Sequence, residues 1–197
     1  AEEHRQHPIE ERRVASQEPS AAVRGLAARR EGTKTCWSLL SRGDRVHGYV
    51  IRPAHAGPHP VILLAGPDGC ASSALAESAA SACSATAALI SFDLPLCGAR
   101  KSDKLSALAL DARTPLAARL RPELEQQVAA DLASVLALVA ADPELDASRV
   151  TFVGVGLGAE LARGFLADPN GVAHVAIAKD PAPSPSWFRE VAERASR

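Results

Sequence analysis

The chain has 197 residues, 47% of them hydrophobic, which is enough for one domain with a full core. Lys plus Arg (22) and Asp plus Glu (23) nearly cancel to a net charge of -1, so there is no basic field to hold nucleic acid or an anionic membrane surface. The longest apolar stretches, such as Val61 to Gly66 and Val172 to Ala178, are strand-length and fall short of the roughly 20 residues that span a bilayer.

Residues 1–34 mix acidic and basic side chains with Pro8, Pro19, Gly25 and Gly32 and carry few apolar anchors, so they read as an arm, solvated or wrapped onto a partner. A folded domain is expected over 35–197. Thr35 to Ser41 and Arg45 to Arg52 predict two strands joined by a turn at Gly43-Asp44, and Val61 to Ala65 predicts a short apolar strand. Ser72 to Ala88 predicts an Ala/Ser-rich helix whose small side chains allow close approach to a sheet, and Leu89 to Leu94 the next strand. After a polar excursion from Gly98 to Leu120, Pro122 is expected to open a long helix with Leu124, Val128, Leu132, Val135, Leu136 and Val139 on one face. Arg149 to Val155 reads as a central strand, Leu157 to Ala167 as a helix, Val172 to Ala178 as a strand and Trp187 to Ala195 as a terminal helix. The alternation predicts an α/β fold: a mostly parallel twisted sheet with helices on both faces.

Cys36, Cys70, Cys83 and Cys97 fit two disulfides in an oxidising space or four thiols in a cytosol, and spacing does not choose between them. The sequence contains no Met, and Ala1 suits either trimming of an initiator or cleavage of a signal, so both a cytoplasmic and an exported or organellar setting stay open. His47, His55 and His59 lie on a strand and its following turn without a third ligand at metal-binding spacing, so no metal is expected.

Residues 149–158, Arg-Val-Thr-Phe-Val-Gly-Val-Gly-Leu-Gly, form a buried strand running into a glycine turn. Together with Gly48-Tyr-Val-Ile-Arg-Pro53, Gly57-Pro-His-Pro-Val-Ile-Leu-Leu64, Phe92-Asp-Leu-Pro95 with Gly98 and Arg100, and Asp142-Pro-Glu-Leu-Asp-Ala-Ser-Arg149, this order resembles the α/β-hydrolase family, in its dienelactone-hydrolase and acetyl-esterase-like branch, over roughly residues 36–180. The resemblance implies a nucleophile elbow, G-x-S-x-G, in which the outer glycines let the chain turn tightly. Here Gly154 and Gly158 keep the turn, and Gly156 stands where the nucleophile would be. The family order of nucleophile, acid and His implies a His after the elbow, yet His174 falls within a strand and ahead of Asp180, and the family's later strands are expected to be missing before Arg197. The resemblance also implies an oxyanion hole built from the N–H of Leu157 and one from the loop Ala65-Gly66-Pro67-Asp68-Gly69-Cys70, where Pro67 has no N–H to offer. The expected catalytic set is therefore empty, with Cys70 as an alternative nucleophile near the mouth of the pocket.

Gly154-Val-Gly-Leu-Gly-Ala159 also fits G-x-G-x-x-A, with Asp180 ending the next strand, but the five strands expected before it and the single one after it do not make a dinucleotide-binding sheet. No cofactor is expected. The sequence thus predicts a non-catalytic, accessory or assembly protein, with an active ester hydrolase as the alternative. Its partners are expected to be other subunits or a second copy, meeting the edge strand 172–178 and the N-terminal arm.

Overall fold

A computed structural model describes residues 23–67, 69–70, 74–111 and 113–197. Seven strands form one sheet: β1 (Ala27–Glu31), β2 (Lys34–Ser41), β3 (Asp44–Ile51), β4 (His59–Ala65), β5 (Ala88–Phe92), β6 (Leu145–Val155) and β7 (His174–Ala178). They lie side by side in the order β1-β2-β3-β5-β4-β6-β7. The sheet is mixed. The first three strands and the β3–β5 contact are antiparallel, whereas β5, β4, β6 and β7 run parallel. Parallel strands need crossover connections, and these carry the helices onto both faces.

β4 is buried at all seven positions, as a central parallel strand must be. Val61, Leu63 and Ala65 face one core with Ile90, Phe92 and Phe152, which is covered by Leu132, Val135 and Val139 of α3 (Pro115–Ala141). Ile62 and Leu64 face the other, with Leu89, Val153 and Val155, under α1 (Ala74–Cys83) and α6 (Pro185–Ala195). By length and composition α3 would pass for a membrane span, a possibility that strand-length counting missed. Its inward stripe nevertheless packs on the sheet, and its one acidic residue between Gln126 and Asp142, Asp131, is fully buried against Arg100 at 2.6 Å.

Several boundaries differ from those the sequence suggests. The arm expected over 1–34 lies outside the described residues as far as residue 22. From Val23, which is buried, the chain is part of the domain, and β1 pairs with β2 along its whole length. The segment Ala-Ala-Arg-Arg-Glu has no apolar alternation; tertiary pairing, not propensity, makes it a strand. The long helix begins at Pro115, not Pro122, because the Thr114 hydroxyl accepts the Ala117 N–H at 3.1 Å and Pro115 occupies the first turn. Pro122 then lies inside the helix. The polar excursion holds a 3-10 turn (Gly98–Arg100) and α2 (Asp103–Leu110), and the helix expected over 157–167 is broken at Ala162 into α4 (Leu157–Leu161) and α5 (Arg163–Leu166). None of the four cysteines is in a disulfide, and only Cys36 is exposed.

Candidate functional site

The strand, glycine turn and helix expected around Gly156 are present, without a side chain at the tip of the turn. β6 ends at Val155, and Gly156 takes φ 52°, ψ -120° before α4 begins at Leu157. Each glycine of the turn is there for a different reason. A Cβ on Gly154 would sit 2.9 Å from the Ala159 Cα, so the first glycine lets α4 pack on its own strand. A Cβ on Gly158 would sit 2.1 Å from the Ala65 carbonyl oxygen, so the third lets the turn press on the end of β4. Gly156 is needed for its backbone alone: a Cβ there would meet nothing within 4 Å, in a conformation that side chains rarely adopt. Among the described residues nothing stands against the tip, and Gly156 itself brings no hydroxyl, thiol or carboxylate to donate electrons.

The neighbouring loop follows β4. Gly66 leads into Pro67, whose ring nitrogen carries no proton, so the loop offers no donor at that residue to complement the Leu157 N–H. Cys70 lies further along the loop and is buried, with Sγ 3.6 Å from the His47 carbonyl oxygen. Burial, followed by the nearby Asp93 carboxylate, pushes its thiol pKa up, so the sulfur is held protonated and is a poor nucleophile.

Asp93, at the exit of β5, is fully buried. One carboxylate oxygen accepts the Cys70 N–H at 2.6 Å and the other accepts the Ala99 N–H at 2.9 Å. The carboxylate thereby joins the loop after β4 to the loop after β5. Arg100 continues the lock, reaching the Asp93 carbonyl at 3.0 Å, Asp131 of α3 at 2.6 Å and Asp44 of the β2–β3 turn at 2.9 Å through Nε. Between Asp93 and this arginine, Pro95-Leu96 makes a tight turn in which the Cys97 N–H returns to the Leu94 carbonyl and Leu96 adopts φ 63°. A bulky residue with positive φ is an outlier, and the sequence reading missed it; the Pro-x pair at a strand exit was the available signal. Leu96 lines an open cleft of about 430 Å³ with Pro67, Cys97, Gly98, Lys101 and Ser106.

Among the described histidines, His47 borders the Cys70 loop through its backbone, its carbonyl accepting the Asp93 N–H at 2.8 Å, and the others are elsewhere. His174 opens β7 opposite Thr151, whereas Val155, next to the tip, is opposite Ala178. Four residues of strand, about 13 Å at the usual rise, separate the imidazole's residue from the elbow's level. His55 and His59 meet edge to face, 4.8 Å between centroids, at the start of β4 and so at the opposite end of the sheet from the elbow. Among the described residues no group of three His, Cys, Asp or Glu side chains could hold a metal ion. Asp180 spends one carboxylate oxygen on the Ala182 N–H at 2.8 Å, closing the turn after β7.

No protein-family model matches this chain, and no curated protein matches it. Solved structures do. The PEG-bound form of a cold-adapted esterase from an Arctic intertidal metagenomic library matches at TM-score 0.59 and 19% identity, over 85% of this chain and 69% of that one. The native form of that esterase matches at 0.55 and 18%, over 78% and 62%. A Bacteroides fragilis protein designated an acetyl xylan esterase matches at 0.54 and 13%, over 76% of this chain and 46% of its own. The chain thus spans less than two thirds of the second and third structures. At these identities the likeness is one of fold: the chain has an α/β fold with a mixed sheet that matches α/β-hydrolase-like neighbours.

Proposed function

We propose that this chain is a non-catalytic α/β-hydrolase-like protein, acting as an accessory or assembly subunit that uses the scaffold without its chemistry. The observation that carries the reading is Gly156, a hydrogen atom at the tip of an elbow-like strand, turn and helix. Covalent ester hydrolysis on this fold starts with attack by a side chain at that position. Pro67 and the distance of His174 agree with the same reading, since they concern a second donor and a proton acceptor respectively. The partners we propose are other subunits or a second copy, engaged through the strand His174–Ala178 at the sheet edge and through the N-terminal residues. The test is hydrolysis of p-nitrophenyl acetate and butyrate by the purified chain. A rate indistinguishable from buffer is expected, and saturable turnover abolished by a thiol-blocking reagent or by Cys70→Ala would overturn the reading.

A second reading draws on the esterases among the fold neighbours: a carboxylester or dienelactone-type hydrolase with a nucleophile other than the elbow residue. It must work against the burial and raised thiol pKa of Cys70, and the same assay decides it.

A further inference from the structure

The two edges of the sheet are built differently. β1 carries Arg29, Arg30 and Glu31, charges that discourage strand addition. β7 reads His-Val-Ala-Ile-Ala, and its Val175 and Ile177 are 45% and 46% exposed. Among the described residues β6 is the only strand that pairs with β7. The helix that carries Trp187 and Phe188 covers one face of the sheet with α1, and does not pair with the edge.

The backbone fixes which groups are free. The Val150 carbonyl turns toward β7, where it accepts the Ala173 N–H at 2.8 Å, and successive residues of a strand turn their N–H and C=O to alternate sides. Phe152 and Gly154 therefore also face β7, and in the register that runs from Thr151 opposite His174 to Val155 opposite Ala178 they engage His174, Ala176 and Ala178, which leaves the N–H and C=O of Val175 and Ile177 pointing away from β6. An antiparallel copy of the same strand centred on Ala176 uses all of these, pairing Val175 with the second copy's Ile177, twice by symmetry, in hydrogen-bonded positions. It also brings His174 diagonal to the second copy's Asp180 on one face, an acid and a base within reach of each other.

We infer that β7 is a self-association edge: two copies of this chain join through antiparallel β7 strands about a two-fold axis at Ala176, giving one continuous sheet. Self-complementarity of hydrogen bonding, apolar contact and charge in one register is what an isologous interface requires. The inference rests on the accessory-subunit reading above and names its partner. A five-residue edge buries less than the roughly 800 Å² per side of a standard interface, so the dimer depends on concentration.

The test is light scattering of the full chain over a wide range of concentration, with Val175→Lys and Ile177→Lys. The expected result is a shift from monomer to dimer that both lysine variants abolish while their far-UV circular dichroism stays unchanged. Should those variants fail to fold, cross-linking decides: in a Cys36→Ser background, mixed Val175→Cys and Ile177→Cys chains should form an intermolecular disulfide faster than either alone, since such pairs stand about 5.5 Å apart at Cα. A monomer at every concentration overturns the inference, as does a dimer indifferent to both lysines, or concentration-independent protection of the Ile177 amide, which would mean that the chain covers its own edge. A monomer inert toward esters defeats the self-pairing alone. Ester turnover defeats the non-catalytic reading and leaves the dimer standing.

Discussion

Gly98 lies so close to Asp93 that a Cβ on the glycine would sit 2.1 Å from the aspartate Oδ1. Gly69 closes the other side, where a Cβ would come within 2.9 Å of the same oxygen and 2.4 Å of the Gly98 Cα. The carboxylate is thus gripped between two glycines from two loops, each with positive φ, and receives a backbone N–H from each loop. Asp93 is a structural clamp on the mouth of the fold, independent of any reaction there.

Asp93→Ala should accordingly destabilise the chain by about 2–4 kcal/mol, the cost of leaving buried donors without an acceptor. Asp93→Asn keeps one acceptor and the shape, and should fall between the two. Urea denaturation midpoints at constant m-value measure this; an unchanged midpoint for the alanine variant would mean that the loops are held by other contacts.

Gly156→Ser should yield a folded protein without esterase activity. Room exists for the side chain, but the backbone at φ 52° imposes strain of about 1–3 kcal/mol. Pro67 still supplies no N–H, and a missing oxyanion donor alone costs about 3–4 kcal/mol of transition-state stabilisation. Saturable ester hydrolysis by this variant, absent from the parent, would reveal a base at the elbow that the described residues do not place there.

Stability should fall as the pH drops below the ordinary histidine value. Burial, then the adjacent His55, hold the His59 pKa below its usual 6.5. In the window beneath 6.5 the unfolded chain binds more protons at this site than the folded one, so the stabilising contribution is complete above that pH and is lost as acid is added. His59→Gln should flatten the slope of unfolding free energy against pH in that window, read by urea titration at several pH values. Equal slopes in parent and variant would assign the dependence to another group.

Millimolar NAD or NADP should leave the melting temperature unmoved despite the G-x-G-x-x-A match. The glycines of that phrase are accounted for by packing against Ala159 and Ala65 and by the turn itself, and Asp180 is engaged by its own turn. Occupancy at one hundred times Kd would add about 2.7 kcal/mol, a clear upward shift in a thermal melt.

What was legible in the sequence was whatever burial dictates. β4, β5 and β6 are apolar on both faces, so their runs stand out, and the hairpin of β2 and β3 is marked by alternation around Gly43-Asp44. β1 was hidden because its side chains are all exposed and only its backbone is engaged. The start of α3 was misread because two Thr/Arg-Pro pairs compete, and the hydroxyl of Thr114 wins over Arg121 as a cap. At the site, the glycine spacing located the elbow. The Asp93 clamp and the Leu96 turn could not be foreseen, since they depend on the loops after β4 and β5 meeting across more than twenty residues.

The position of β4 also bears on how the domain is made. It is flanked by β5 and β6, both of which follow it in the chain, so its seven buried residues have no neighbour until residues near 90 and then near 150 have been synthesised. An emerging polypeptide would carry an unpartnered apolar strand through much of its translation, the kind of segment that recruits chaperones or aggregates. Dissection of the domain should therefore keep β6 with β4, because any fragment ending earlier strips one side of the sheet's innermost strand.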